Sequence, residues 1–264
     1  MEKLRKKFSD REDLIAFVKA LSPSAIGDAS PIRGGYDHAR DLLCKIDPIN
    51  YSRTRNFGDG KITKLSPYIH HGVIDLNQVR NYALDKCSEP EQSSKFIQEL
   101  GWRDFWQRVA DKNPHWLWED VESYKTGFLP EDYEAKLPDD IATGNTGVAC
   151  IDSFISDLLN TGYVHNHARM YLASFVVHFR RVKWQAGAEW FLEHLLDGDE
   201  ASNNLSWQWV ASTFSNKPYI FNLENVDKYF GKFVDTTPEN NKILDLSYEE
   251  LSARLFPYIG ANCG

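Results

Sequence analysis

Leu196-Asp-Gly-Asp-Glu-Ala-Ser-Asn-Asn-Leu-Ser-Trp-Gln-Trp209 decides how this chain reads. It opens like a calcium loop, with Asp197 and Asp199 two residues apart. The pattern then fails: Ala201 stands at a ligand position, Ser202 replaces the turn glycine, and Gln208 replaces the closing glutamate, so the oxygens a calcium ion requires are missing. What remains is a pair of aspartates leading into a helix, expected over Ala201 to Thr213, that carries Asn203, Trp207 and Trp209.

Working outward, helical periodicity is expected at Val148 to Asn160, His165 to Arg181 and Ala186 to Leu196, and upstream from Pro90 to Asp111. Two of these helices carry polar groups on neighbouring positions. Asn166, Arg169 and Met170 stand at i, i+3 and i+4 and so share one face; Glu99, Trp102 and Arg103 repeat that spacing. Charges flanked by Leu100, Phe105, Tyr171 and Leu172 are costly to bury unless they are paired with each other or with a ligand. Spacing alone leaves both readings open: Arg169 and Arg103 in structural ion pairs with Asp197 and Asp199, or a binding site.

Farther out, helices are expected over Asp10 to Leu21, closed by Ser22-Pro23, over Tyr36 to Ile46, and over Leu65 to Leu84. Asn50 to Thr63 reads as a loop, Trp116 to Asn145 as a long irregular connection, and the tail beyond Phe214 as weakly patterned. No run alternates as a strand would, so the expected fold is all-α. The expected organisation is a helical lead-in over 1–48, a helical core over 49–225 and a tail over 226–264.

Composition narrows the function. The 264 residues carry a net charge of -8, which argues against a surface that attracts nucleic acid everywhere, although a local basic groove is compatible with an acidic total. Apolar runs such as Ala173 to Val177 are too short for a membrane span, and Met1 to Asp13 lacks the apolar core of a secretory signal; a cytoplasmic protein is expected. Cys44, Cys87, Cys150 and Cys263 show no metal-binding spacing and read as reduced thiols. His165 and His167 stand at i and i+2 on a helix and point apart, so no metal site is expected there. Arg55 occupies the place where a phosphate loop ending at Gly60-Lys61 needs its first glycine. Eight Trp, twelve Tyr and fifteen Phe suit either a large aromatic core or a cleft that stacks a cofactor or a base.

From about Gly34 to Asn222 the order of motifs resembles the FAD-binding domain of the DNA photolyase and cryptochrome family. The motifs are Tyr51-Ser-Arg-Thr-Arg-Asn-Phe57, Thr63-Lys-Leu-Ser-Pro-Tyr68, Glu99-Leu-Gly-Trp-Arg-Asp-Phe105, Asn145-Thr-Gly147, Gly162-Tyr-Val-His-Asn-His-Ala-Arg-Met170 and the block from Leu196 to Trp209. The resemblance implies an all-α FAD domain without the family's amino-terminal antenna domain. It implies that Tyr51, Thr63, Lys64, Leu65 and Ser66 lie along the FAD phosphates with help from Arg103. Arg169 and Asp197 would pair beside the isoalloxazine ring, with Asn166 also lining the cofactor site. Asp199 would hold the ring's polar edge and Asn203 would face flavin N5. Trp207 and Trp184 occupy the first two positions of the family's electron-carrying tryptophan chain; the third aligns near Lys125, so Tyr124 or another aromatic must substitute. Glu99, Trp102, Asn166, Met170 and Trp209 match the pocket for a flipped-out cyclobutane pyrimidine dimer.

The resemblance thus implies dimer-containing DNA as partner and light-driven repair as activity; the acidic total and the lost basic positions make single-stranded DNA the expected preferred form. Several departures remove charge from the DNA side or alter the pocket. His167 stands for a common Arg, Tyr163 for a Trp and Ile62 for a phosphate-binding Thr, and Pro218 to Asn222 lacks an inserted Phe-Arg pair. They favour the alternative, a light or redox sensor that signals through a protein partner.

Overall fold

A computed structural model describes residues 4–22 and 28–259. Cys263 and Pro23 lie outside the described residues; Cys44, Cys87 and Cys150 are free thiols. The chain divides into two compact units, residues 1–33 and 34–264. The first carries α1 (Arg11–Leu21), started by Asp10, whose carboxylate accepts the Asp13 backbone N–H at 2.8 Å.

Among the described residues the regular structure of the second unit is helical. In order it holds α2 (Tyr36–Cys44), α3 (Pro48–Thr54), α4 (Ser66–His70), α5 (Leu76–Asp85), α6 (Ser94–Lys112) and α7 (Asp139–Thr143). There follow α8 (Ala149–Thr161), α9 (Asn166–Ser174), α10 (Trp184–His194), α11 (Glu200–Ala211), α12 (Leu223–Phe230) and α13 (Tyr248–Leu255). Among the described residues the nearest approach to a sheet is one isolated bridge, Glu134 to Val182. The fold is all-α, as expected.

Four local expectations are corrected. Asn50 to Thr54 is helix rather than loop, because Asp47 caps the Asn50 N–H at 3.0 Å and Pro48 sits at the first helical position, where its missing N–H costs nothing. Leu65 to Leu84 is two helices, parted at Gly72 (φ +67°) and restarted by a capping box in which Asp75 and Gln78 satisfy each other's backbone N–H groups. The tail contains α12 and α13, each capped by its own side chain, Asn222 and Ser247. Their apolar stripes bury Leu223, Val226 and Phe230, and Leu251 and Leu255. Beyond α9, the segment expected to stay α-helical to Arg181 opens into a π turn over Phe175–Phe179.

The main core lies among α8 to α12, with Ile151, Phe154, Tyr171, Trp184, Phe191 and Trp207 buried in it. A second cluster joins α2, α4, α5 and the start of α6, and a third, of Trp106, Ala110, Ala201 and Leu205, fixes α6 against α11. The connection after α6 lacks long helices yet is pinned to α11. Gln208 donates to the Trp116 and Glu119 carbonyls at 2.6 and 3.1 Å and accepts from the Val121 N–H at 3.0 Å; Asn204 donates to the Leu117 carbonyl at 2.7 Å. Farther along, the Lys125 N–H reaches the Ser212 hydroxyl at 2.9 Å, and Glu134 exchanges backbone bonds with Arg181 and Lys183.

Candidate cofactor and substrate site

Polar groups converge where α11 begins. Asp199 is its cap: one carboxylate oxygen accepts the Ser202 N–H at 3.0 Å, an arrangement worth about 1 kcal/mol to a helix start. The other accepts from Gln107 Nε2 at 2.5 Å and faces the Arg103 guanidinium at 3.8 Å. Arg103 also lies 3.4 Å from His70 Nδ1, which ties α6 to α4, and His71 Nε2 meets the Leu196 carbonyl at 2.9 Å.

Two residues before Asp199, Asp197 is buried against Arg169. A single guanidinium nitrogen spans both carboxylate oxygens at 3.0 and 2.9 Å, and Arg169 Nε donates to the Val164 carbonyl at 2.9 Å. Burial pushes the Asp197 carboxyl upward, but the Arg169 charge, its hydrogen bonds and a hydrogen bond from Ser66 outweigh that and hold it below the ordinary carboxylate range. Burial opposes the Arg169 charge too, and Asp197 holds its pKa above the ordinary value. Removing either partner would strand a buried charge, which costs about 3 to 5 kcal/mol.

Asn203 follows on α11. Its amide donates to the Ala188 carbonyl at 3.0 Å and to Asn204 Oδ1 at 2.9 Å, which fixes the side chain and leaves its Oδ1 as an acceptor. Ser202 Oγ and Trp207 Nε1, also on α11, are buried polar atoms with no protein partner. Tyr163 packs beside the ion pair, with Arg169 5.5 Å and Lys64 5.7 Å from its ring centroid; burial pushes its phenol up to about 12. Lys64 itself is exposed and adopts φ +53°, an uncommon backbone conformation for a residue with a Cβ. Leu65 is buried at the entry to α4, and the Thr63 hydroxyl accepts the Leu65 N–H at 3.3 Å.

The residues expected to meet substrate spread over α6, α9 and α11. Trp102 and Trp209 are 45% and 41% exposed, enough to offer an aromatic face to solvent. Trp102 stacks on Trp106 at 5.6 Å, and Trp209 leans on Tyr219 at 5.9 Å. Asn166 is exposed at the start of α9 and Met170 half-buried one turn later. Glu99 is engaged by Lys95 at 2.6 Å and Arg55 at 3.5 Å. Tyr51 sits edge-on to Phe96 at 5.0 Å, in the second core cluster.

Trp207 and Trp184 are both buried, at 2% and 0% exposure. The Trp207 ring lies over Gly187, one turn from Trp184, so closely that a Cβ there would fall 2.3 Å from its Cη2. Trp184 donates its indole N–H to Asp120 at 2.6 Å.

The ion-pair reading of the arginines is realised: Arg169 faces Asp197 and Arg103 faces Asp199, and the pairs stand together at one helix start. Gln107, Asp120 and Gly187 went unrecognised in the sequence. Gln107 was discoverable, one turn beyond Arg103; Asp120 lies in the irregular connection, where spacing carries no signal. Among the described residues no three His, Cys, Asp or Glu side chains are grouped as metal ligands, and no helix is long and apolar enough to cross a membrane.

The family model described as the FAD binding domain of DNA photolyase matches residues 96–237. A deoxyribodipyrimidine photo-lyase of Streptomyces griseus is 34% identical over 151 residues, covering 57% of this chain and 32% of the relative. That of Alkalihalophilus pseudofirmus is 32% identical over 234 residues, covering 84% of this chain and 47% of the relative. The chain thus spans about a third to a half of the length of these relatives. In fold it is similar to a bacterial class III photolyase from Agrobacterium tumefaciens, with a TM-score of 0.68 at 20% identity over 96% of this chain and 59% of that one. An archaeal photolyase from Sulfolobus tokodaii, solved with two FAD molecules, gives 0.69 at 24% identity over 93% and 60%.

Proposed function

Because the chain belongs to the family of FAD-binding domains of DNA photolyases, we propose that it uses blue light to split cyclobutane pyrimidine dimers in DNA, single-stranded DNA being preferred. FAD is the cofactor of this family and of this chain. The observation that carries the reading is the convergence of the Arg169–Asp197 pair, Asp199 and Asn203 at the start of α11. That donor set fits FAD. An ion pair, a carboxylate, an amide with a spare acceptor and the hydroxyls of Thr63 and Ser66 match a ligand that joins a pyrimidine-like ring edge to phosphates.

When bound, reduced FAD supplies the excited-state electron that cleaves the dimer. The chain's own residues bind and orient. Arg169 and Asp197 would sit beside the ring, Asp199 and Asn203 would hold its polar positions, and Thr63, Lys64, Leu65, Ser66 and Tyr51 would line the phosphates, with Arg103 adding charge. Asn203 is already held by Ala188 and Asn204, so it would meet the ring with little further ordering. Trp102 and Trp209 offer exposed aromatic faces on which an extruded base would stack, while Glu99, Asn166 and Met170 would contact its edges.

An acidic total charge favours few phosphate contacts, and extruding a base from a duplex costs a few kcal/mol that a weak binder would offset poorly. Repair of single-stranded substrate should therefore exceed repair of duplex. The same acidity favours the second reading, a sensor acting through a protein partner. An assay of dimer-containing oligonucleotides with reductant and blue light separates the two: Glu99→Ala should lower repair and Trp102→Ala should nearly abolish substrate binding. Repair of neither form at low salt would leave the sensor.

A further inference from the structure

Beyond the buried Trp207, the residue at the second position of the tryptophan chain that the family resemblance implies is Trp184. Trp184 is wholly enclosed, yet its indole N–H is directed at a carboxylate, Asp120 Oδ1, at 2.6 Å. This is at the short end even for a charge-assisted N–H···O bond. The same oxygen accepts a second, longer bond from Gln185 Nε2 at 3.3 Å. Tyr124 stacks on the buried Tyr133 with ring centroids 4.4 Å apart and planes 22° from parallel. Lys125, at the place of a third tryptophan, is turned away: its Nζ is held by Glu122 and by the Ser212 carbonyl.

A neutral indole needs no anion. Any acceptor would satisfy a buried Trp N–H, and backbone carbonyls of the neighbouring connection are near enough that Gln185 reaches one, that of Trp118. A carboxylate does something a carbonyl cannot, because one-electron oxidation makes indole N–H a far stronger acid and Asp120 can then take its proton.

We propose that Asp120 is a positioning and proton-accepting residue that traps the oxidised state of Trp184. This rests on the FAD reading above. One electron passes from Trp184 through Trp207 to the photoexcited oxidised flavin, which is the oxidant. The Nε1 proton crosses the hydrogen bond to Asp120 Oδ1, leaving a neutral tryptophanyl radical and a neutral carboxylic acid. Charge is conserved, and return of the electron now requires return of the proton. The trap answers the missing third tryptophan: the hole is held in the interior long enough for reduction of the flavin to be completed, instead of being carried to the surface by another indole.

The test is flash photolysis of the oxidised, FAD-loaded protein in H2O and D2O, comparing the unaltered chain with Asp120→Asn, Asp120→Glu and Trp207→Phe. Asparagine keeps the acceptor and the shape but cannot take the proton. The yield of long-lived neutral tryptophanyl radical should fall by at least about tenfold in Asp120→Asn, because the amide cannot take the Nε1 proton and the electron returns instead. The solvent isotope effect on radical formation should vanish with it and return in Asp120→Glu. A flavin-free readout accompanies this: the Trp184 indole resonance of 15N-tryptophan-labelled protein should lie far downfield and move upfield in Asp120→Asn. An unaltered protein without an isotope effect, or one whose indole resonance ignores Asp120→Asn, overturns the proposal even if that variant folds poorly. If Trp207→Phe stops photoreduction while Asp120→Asn changes neither radical nor resonance, the proposal fails and the FAD reading stands. If the chain takes up no FAD, both fail.

Discussion

Trp207 is held edge-on by Phe191 at 4.9 Å and from below by Gly187, so its packing and its chemistry can be separated. Phenylalanine fills most of the same space but is much harder to oxidise. Trp207→Phe should cost roughly 1 to 2 kcal/mol of stability through the small cavity left behind, since its Nε1 gives up no hydrogen bond. FAD binding should be nearly unchanged while light-driven reduction of the bound flavin slows strongly, as followed by loss of the yellow absorbance. Equal rates would remove Trp207 from the path. Asp197 and Asp199 were legible as a pair of aspartates leading into a helix, and Arg169 and Arg103 because each shares a helix face with neighbouring polar residues. Gln107 and Asp120 find their partners 92 and 64 residues away, a distance over which a single sequence read by itself holds no pairing information.

Helices α10 and α11 meet where a ring lies on a glycine. A methyl group at position 187 would intrude to 2.3 Å from Trp207 Cη2 and 2.4 Å from Cζ3, both belonging to a rigid ring rather than to a side chain that can swing away. Gly187→Ala should therefore destabilise the protein by about 1 to 3 kcal/mol, despite the better helix propensity of alanine, because overpacking outweighs it. Urea unfolding measures this directly; an unchanged or raised midpoint would show that α10 and α11 slide apart freely. Element boundaries show where local sequence falls short. The apolar period runs on through Gly72 as though one helix spanned 65–84, and only the Asp75–Gln78 capping box reveals the restart. Helices α12 and α13 have eight residues each, too few turns for periodicity to stand out from a polar tail. The π turn at Phe175–Phe179 has no local signature at all: it arises where the chain is packed on every side.

Across the whole molecule, acid should be the weak flank. Burial pushes His165 and His178 from 6.5 down to about 4, because neither imidazole can be charged without solvent. The unfolded chain takes up these protons below about pH 6.5 and the folded chain only near 4, so stability is full above 6.5 and drains as pH falls between the two. Each group contributes up to about 1.4 kcal/mol per pH unit in that window. Asp197, held below the usual carboxylate range, adds a loss at still lower pH, when its proton must displace Arg169. Denaturant midpoints measured from pH 7 to pH 4.5 should fall steeply, and a His165→Gln, His178→Gln double variant should fall less. A midpoint flat over that range would mean that both rings are hydrated.

The connection between α6 and α8 leads to a different kind of expectation. By secondary structure it would be the first place a protease should cut, being long, aromatic and poor in helix. Yet Trp116, Glu119 and Val121 are strapped to the single amide of Gln208, Leu117 to Asn204, Lys125 to Ser212, and Glu134 to the chain around Val182. A protease needs roughly ten residues of backbone to unfold locally into its cleft, and here those residues would have to give up bonds to the centre of α11 first. Limited digestion with chymotrypsin should therefore spare Trp116, Trp118 and Tyr124 until the whole domain unfolds. Gln208→Ala, which undoes three of the straps at once, should turn this stretch into the earliest site of cleavage.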